Sequence, residues 1–222
     1  METSRRWGST VHYRDPTLAA AIAQVWNGGA PDIQGDSGRP VMPSPPENLP
    51  PMIQELEGKI PRIHPEAFVH PDATVIGAAV VGARSSLWPG AVLRADMGRI
   101  LVGEETSIQD GTIAHLTEGW TDTVIGSRVT VGHRVILHGC QVEDFCLIGM
   151  GSILLDACKV QSGSLVAAGS LVPAGMEIPP GSFVRGSPAR VVGPVSDKHR
   201  QMIEVGWRSY VEWSARYRAQ GR

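Results

Sequence analysis

Three histidines in the middle of the chain have the residue type and spacing that a metal site requires. His133 and His138 lie five residues apart in the segment VTVGHRVILHGC (residues 129–140), and His115 precedes His133 by eighteen residues. Each histidine of the pair stands beside a glycine, and the segment is rich in β-branched residues, which favours strands and turns over a helix. Imidazole nitrogens are common zinc ligands, so the function depends on which histidines the fold brings together.

A six-residue repeat surrounds these histidines. An aliphatic residue recurs every six residues from Ile63 to Leu93, and again at nine consecutive positions from Ile136 to Val184. A period of six does not fit an α-helix, and it does not fit the two-residue alternation of sandwich strands. We therefore predict an all-β fold, a left-handed parallel β-helix of hexapeptide repeats with about seven triangular coils. The left hand is taken from the resemblance to this class of repeat.

The segments on either side lack the repeat and divide the chain into three parts. We predict an N-terminal extension over residues 1–58, with a Pro-rich linker over 40–51. The β-helix is predicted over 59–192 and a C-terminal helix over 193–222. Ser196 is the expected N-cap of that helix, and an apolar stripe predicts that the helix packs along the outside of the β-helix.

The register of the repeat places two of the histidines on one face. Ala114 and Leu137 are predicted to be inward residues of adjacent coils, and His115 and His138 each follow one of them. Their backbones would lie about 5 Å apart, the distance between neighbouring strands, which suits two ligands of one metal ion. His133 falls on a different face, so we predict that a neighbouring copy in a symmetric trimer supplies it across the interface.

Five segments resemble the γ-class carbonic anhydrases and their close relatives. They are WPGAVLRAD, VGEETSIQDGTIAH, VTVGHRVILHGC, IGMGSILLDA and RGSPAR, within residues 57–217. The resemblance implies a homotrimer with a metal held by His115, His133 and His138. It also implies reversible hydration of CO2 to bicarbonate by a zinc-bound hydroxide at the trimer interface. Iron and cobalt also accept imidazole ligands, so either could take the place of zinc.

The same resemblance assigns roles to five further residues. Gln109 matches a residue that hydrogen-bonds the metal-bound water, and Glu118 matches a glutamate that shuttles protons. Both are therefore expected to take part in catalysis. An ion-pair network across the trimer interface is expected for Arg94, Asp96 and Asp110.

Two departures from the family pattern keep other functions open. The loop that carries Glu118 is short, and Met97 stands where the family prototype has a second glutamate. One alternative is a catalytically weak or inactive structural subunit of a larger complex, such as respiratory complex I, with the N-terminal extension as the docking segment. The other is a CoA-thioester hydrolase or acyltransferase, because hexapeptide β-helices include acyltransferases.

Composition excludes several other classes of protein. The net charge is −2, with 20 basic and 22 acidic residues, so we expect no nucleic-acid partner. No apolar stretch approaches the roughly 18 residues of a transmembrane segment. Cys140, Cys146 and Cys158 form no CxxC motif and fit buried thiols in a reducing compartment. We expect a cytoplasmic protein, or a mitochondrial one if the source is eukaryotic.

Overall fold

Short parallel strands succeed one another along the chain because an inward aliphatic residue and a sharp corner alternate in the repeat. The computed structural model describes residues 51–221, which form a parallel β-solenoid of about seven coils and a C-terminal helix. The β-helix prediction is therefore confirmed. The strands form an eight-stranded sheet and a 12-stranded sheet, and the 12-stranded sheet has two arms. These give the solenoid three faces.

The eight-stranded sheet is called the helix face, because the C-terminal helix packs on it. Its strands are β3 (Phe68–Val69), β5 (Ser86–Leu87), β7 (Ser107–Ile108), β10 (Thr130–Val131), β13 (Leu147–Ile148), β16 (Leu165–Val166), β19 (Ser182–Gly186) and β20 (Ala189–Pro194). All of its pairs are parallel except β19 with β20, which form an antiparallel hairpin at the end of the solenoid.

Two long strands run across both arms of the other sheet, β4 (Thr74–Val81) and β6 (Val92–Val102). The arm called the histidine face adds β1 (Met52–Gln54), β8 (Ile113–His115), β11 (Ile136–His138), β14 (Ile153–Leu154) and β17 (Leu171–Val172). The third face adds β2 (Arg62–Ile63), β9 (Thr123–Ile125), β12 (Gln141–Val142), β15 (Lys159–Val160) and β18 (Glu177–Ile178).

The inward aliphatic residues stack from coil to coil and form the core. On the histidine face, Ala114 pairs with Leu137 and Leu137 with Leu154, and all three are buried. Ile136 is the first member of the predicted run of nine, but it points outward and is only half-buried. The inward residue is Leu137, so the repeat loses one residue before Val142. The predicted register at Ala114 and Leu137 is correct, whereas the unbroken run from Ile136 is wrong at its first member.

One corner of the solenoid carries charged residues in the left-handed region, which usually favours glycine. Arg84, Glu105 and Arg128 have φ angles of 55°, 55° and 56° on successive coils. The Arg84 guanidinium donates to Glu105 Oε1 at 2.6 Å, and Arg128 Nε donates to Glu105 Oε2 at 2.7 Å. The hydrogen bond from Arg128 is the largest cause of the lowered pKa of Glu105, and the hydrogen bond from Arg84 lowers this pKa further. The ion pairs tie three coils together at a corner whose backbone conformation is unfavourable.

The C-terminal helix, α1 (Asp197–Ala219), begins and packs as the sequence predicted. The Ser196 hydroxyl accepts a hydrogen bond from the backbone N–H of His199 at 3.2 Å, and His199 Nδ1 accepts one from the Ser196 backbone at 3.3 Å. Ile203 and Trp207 are buried on the side that faces the sheet. Gly206 permits close approach, because a Cβ there would lie 2.8 Å from Thr130 Oγ1.

The described residues reach only the end of the predicted N-terminal extension. Residues 1–50, and with them almost all of the predicted linker over 40–51, lie outside the described part. The parallel pairing begins at Met52, which lies opposite Thr74 in β4. The first strand therefore precedes the predicted start of the β-helix at residue 59.

The cysteines are free thiols inside the structure. Cys140, Cys146 and Cys158 are buried and unpaired, as predicted. Burial raises the pKa of Cys146 to about 12, so this thiol is inert at neutral pH. Along residues 51–221, no helix combines the length and apolar character needed to cross a membrane.

Candidate functional site

His115 and His138 lie side by side on adjacent coils of the histidine face. β8 and β11 pair in parallel with His115 opposite His138. The centroids of the two rings are 5.3 Å apart. This is the placement that the repeat register predicted. Two imidazoles at this separation are able to contact one small ligand or ion.

Each histidine of this pair is held by an aspartate. His138 Nδ1 donates to Asp156 Oδ2 at 2.9 Å, and His115 Nε2 donates to Asp96 Oδ1 at 3.0 Å. Burial acts to raise the pKa of both carboxyls, but hydrogen bonds outweigh it. The hydrogen bond from His138 lowers the pKa of Asp156, and those from Arg94 and His115 lower the pKa of Asp96. Both carboxylates are charged at neutral pH and fix the orientation of their imidazole.

His133 lies at a different edge of the solenoid. It follows β10 of the helix face, at the corner that leads into β11. His133 Nδ1 donates to Asp110 Oδ2 at 2.8 Å, which leaves Nε2 as the nitrogen that accepts a proton or binds a metal. The sequence therefore placed His133 correctly on another face from His115 and His138.

The three histidines provide the donor types of a zinc site, but not within one chain. Over residues 51–221 of one chain, no group of three or more His, Cys, Asp or Glu residues could hold a metal ion. His133 and His138 present Nε2 while an aspartate holds Nδ1, the arrangement common among zinc-bound histidines. His115 presents Nδ1 instead, because Asp96 occupies Nε2. The donor types therefore fit a metal, and three ligands require a second copy; the zinc, iron or cobalt site stays a prediction.

Sequence reasoning missed Asp156, which contacts both His138 and the inserted loop. A partial signal was present, because Asp156 follows His138 by eighteen residues, the nominal length of one coil. The residue lost before Val142 shifts the register, so Leu137 pairs with Leu154 and Asp156 lies one position beyond the slot of His138. The Thr121 hydroxyl donates to Asp156 Oδ1 at 3.1 Å. Asp156 thus joins the loop to the histidine pair.

The inserted loop between β8 and β9 carries Glu118 on its exposed surface. The end of the loop is anchored, because Thr123 Oγ1 donates to the carbonyl oxygen of His115 at 2.6 Å. The proton-shuttle role of Glu118 stays a prediction.

Two of the three predicted interface residues pair within one chain. Arg94 Nη1 donates to Asp96 Oδ2 at 2.5 Å. Asp110 contacts His133 of its own chain and is not part of that pair. The role of Arg94, Asp96 and Asp110 at a trimer interface stays a prediction.

A groove of about 490 Å³ separates the start of α1 from the helix face, and it is called the helix groove. Its walls are mainly apolar and include Phe183. Gln109 and Gly132 line the end next to Asp110 and His133 along the chain, whereas Lys198 is on the helix side. Gln109, predicted to bind the metal-bound water, is buried and faces this groove.

The outer surface of the histidine face carries a row of aliphatic side chains. Val92, Ile113, Ile136, Ile153 and Leu171 are opposite one another on five successive strands. Ile113 is 41% exposed and Ile153 38% exposed. A contiguous apolar row beside polar site residues is typical of a surface that contacts another protein chain.

The sequence is similar to bacterial proteins of the carnitine operon. It is 41% identical over 166 residues to the carnitine operon protein CaiE of Escherichia coli, which covers 74% of this chain and 83% of CaiE. CaiE of Salmonella agona is 40% identical over 165 residues, 73% of this chain and 82% of that protein. No protein-family model matches the chain.

Two solved structures share the fold, and each is 36% identical in sequence to this chain. A Bacillus cereus protein named as a presumed acetyltransferase has a TM-score of 0.74 and 36% identity, over 76% of this chain and 98% of its own. A hexapeptide transferase family protein of Anaplasma phagocytophilum has a TM-score of 0.72 and 36% identity, over 75% and 98%. These comparisons do not confirm the resemblance to γ-class carbonic anhydrases.

Proposed function

The chain belongs to the hexapeptide-repeat family of CaiE, and we propose that it hydrolyses or transfers the acyl group of a CoA thioester. The observation that carries this proposal is the hydrogen bond from His133 to Asp110, two residues whose chain neighbours Gly132 and Gln109 line an apolar groove of about 490 Å³. A histidine oriented by a carboxylate is a suitable general base, and a groove of this size suits an acyl thioester. The names of the two related structures point to the same chemistry.

In this proposal His133 moves the proton. Its Nδ1–H donates to Asp110, so Nε2 accepts the proton of a water molecule, or of an acceptor hydroxyl or amine. The oxygen or nitrogen of that molecule attacks the carbonyl carbon of the thioester. The carbon–sulfur bond then breaks, and the proton passes from His133 to the departing thiolate. General base catalysis of this kind contributes roughly 10²–10⁴-fold to a rate.

Residues of the helix groove supply the contacts for the substrate. The Thr130 hydroxyl is buried and lines the groove, and among the described residues it has no hydrogen-bond partner. Together with the buried amide of Gln109, it is a donor for the thioester carbonyl oxygen. The apolar wall receives the acyl chain and excludes water, and Lys198 provides a positive charge for a phosphate.

If a second copy docks on the histidine face, His115 and His138 of one chain and His133 of the other could form one shared site. The exposed aliphatic row supports that docking, and the symmetric arrangement would be the predicted homotrimer. A divalent metal such as zinc, held by this pair and His133 of the second copy, would supply a water molecule of lowered pKa. His133 is then a ligand and no longer the base, so metal dependence separates the two versions.

A second candidate function is hydration of CO2 to bicarbonate. The observation in its favour is the register of His115 opposite His138, with rings 5.3 Å apart. It also accords with the sequence resemblance to γ-class carbonic anhydrases. Stopped-flow CO2 hydration on zinc-loaded protein tests this function, and a rate no higher than that of buffer excludes it.

The experiment for acyl chemistry is a panel of CoA thioesters of increasing acyl length, with release of free thiol as the readout. The panel is run on metal-loaded and on chelator-treated protein. Asp110→Asn should lower kcat/KM by roughly 10²-fold, because His133 loses its orienting carboxylate. Asp72→Asn is the control, because it removes a carboxylate near a histidine away from the groove without breaking a histidine–carboxylate hydrogen bond. His70 Nδ1 lies 3.7 Å from Asp72 Oδ2 and accepts its hydrogen bond from the Asp72 backbone N–H.

Two results would contradict the acyl proposal. One is the absence of thiol release for every acyl length, with and without metal. The other is an Asp110→Asn variant that keeps kcat/KM within about threefold of the unchanged protein.

A further inference from the structure

A second cavity, next to the C-terminal half of α1, is walled by aromatic rings. Its volume is about 440 Å³, and it is called the aromatic cavity. The residues that line it are Trp88, Asp110, Ser209, Tyr210, Trp213 and Tyr217. Four of the six are aromatic, although aromatic residues make up only 5% of the chain. This concentration in one place points to a ligand that aromatic rings recognise.

The rings are held in fixed positions around the cavity. The Trp88 centroid lies 5.4 Å from that of Tyr210 and 5.2 Å from that of Tyr217, both with edge-to-face geometry. Trp88 Nε1 also donates to Ser86 Oγ at 3.0 Å. Because three walls pack against one another, little side-chain entropy is lost when a ligand binds.

The charge in the aromatic cavity is negative. Asp110 provides a carboxylate, and the lining residues include no lysine, arginine or histidine. Burial and the charge of Asp110 raise the pKa of Tyr210, so the negative charge of the carboxylate acts on this ring. Aromatic faces attract cations through their quadrupole, and the carboxylate adds to that attraction. The cavity is therefore complementary to a cation.

The Trp213 ring already contacts a cation of its own chain. Its side chain is 50% exposed, and the Arg216 guanidinium carbon lies 4.8 Å from the ring centroid. An alkylated ammonium fits the cavity better than a bare ammonium. Its methyl groups bury apolar area against the rings, and its charge is more weakly hydrated.

We propose that the aromatic cavity binds a ligand with a quaternary ammonium group, seated between Trp88, Tyr210, Trp213 and Tyr217 and facing Asp110. This site is additional to the proposed acyl chemistry. Ligand binding to it is measured without any reaction, so the test does not depend on the acyl activity. Asp110 connects the two sites, since its Oδ2 accepts the hydrogen bond from His133. A cation in the aromatic cavity lies against the carboxylate that orients the candidate general base.

The test is isothermal titration of the full chain with choline and with tetramethylammonium chloride. The neutral isostere of choline, in which carbon replaces the ammonium nitrogen, has the same shape without the charge. The proposal expects saturable binding of both cations and at least about tenfold weaker binding of the isostere. Equal binding of the isostere, or no saturable binding of either cation, overturns the proposal.

Variants locate the binding. Trp213→Ala should weaken choline binding about tenfold or more without unfolding the chain, because the side chain is half exposed. Trp120→Ala is the matched control, since Trp120 is 61% exposed on the inserted loop and does not line the cavity. Equal effects of the two variants overturn the proposal.

A second copy could instead place a guanidinium in the aromatic cavity, and the predicted interface residue Arg94 is the candidate. Choline binding that appears only in Arg94→Ala would show this, and it would also overturn the proposal. Binding by the unchanged chain, reduced in Asp110→Asn as well as in Trp213→Ala, supports it.

Discussion

Replacing Leu154 by alanine tests whether the inward residues of the repeat support the fold. Leu154 is fully buried and stacks between Leu137 and Val172 on the histidine face. The substitution removes about three carbon groups, a transfer free energy of about 2.4 kcal/mol at roughly 0.8 kcal/mol each. Strand pairing on both sides limits how far the backbone collapses, so a cavity cost is added. We expect a total loss of about 3–4 kcal/mol in the free energy of unfolding.

The neighbouring residue provides the control. Ile153 belongs to the same strand, has a side chain of the same size, and points outward with 38% exposure. Ile153→Ala should cost less than about 1 kcal/mol in the unfolding of a single chain. If a second copy covers the aliphatic row, the remaining effect is a weaker association between copies.

The assay is urea and thermal unfolding at several protein concentrations, together with sedimentation to measure the assembly state. A loss of about 3–4 kcal/mol corresponds to a fall in Tm of roughly 10 °C for a chain of this size. The effect of Leu154→Ala should hold at every concentration. The effect of Ile153→Ala should be largest where both proteins are assembled and should shrink on dilution, because the stabilisation by association is lost as the copies separate.

The reasoning is refuted if Leu154→Ala costs less than about 1 kcal/mol. It is also refuted if Ile153→Ala costs as much as Leu154→Ala at every concentration. Either result would mean that the inward and outward positions of the repeat are assigned wrongly.

Three further predictions concern backbone conformation, charge and helix capping. Gly77→Ala should destabilise the fold by at least about 2 kcal/mol in urea unfolding, since φ is +74° and the new Cβ would lie 2.3 Å from Ala95 O. Glu105→Gln should reduce the loss of stability between about pH 7 and about pH 3 by about 1 kcal/mol. The hydrogen bond from Arg128 lowers the pKa of Glu105, so its ion pairs stabilise above the ordinary carboxyl range and are lost as the pH falls below it. Ser196→Ala should cost about 1 kcal/mol in thermal unfolding, because the helix loses its N-cap.

Each of these has a comparison that decides it. Gly151→Ala should cost only about 1 kcal/mol, because φ is +67° but nothing lies within 4 Å of the new Cβ. An equal cost for the two glycines would contradict the close contact at Gly77. An unchanged pH profile for Glu105→Gln would contradict the ion pairs. Ser196→Asp should restore the stability that Ser196→Ala loses, and no rescue would contradict the capping role.

The six-residue spacing was sufficient to predict the fold class and much of the site geometry. It is a local property, because each hexapeptide sets one strand and one corner, and stacking follows when the next coil repeats the same slot. The spacing therefore predicts that His115 and His138 lie opposite each other, as the structure shows. Ser196 and the apolar stripe likewise predicted the start and the packing of α1, because capping and amphipathicity are properties of short segments.

Contacts that cross from one slot or element to another required the tertiary structure. The aspartates on the three histidines depend on side-chain direction at the corners, where insertions and a lost residue shift the register. The aromatic cavity joins Trp88, which follows β5, to Tyr210, Trp213 and Tyr217 of α1. No period relates residues so far apart in sequence. Their meeting depends on how the helix lies on the sheet, and packing of the two surfaces decides that.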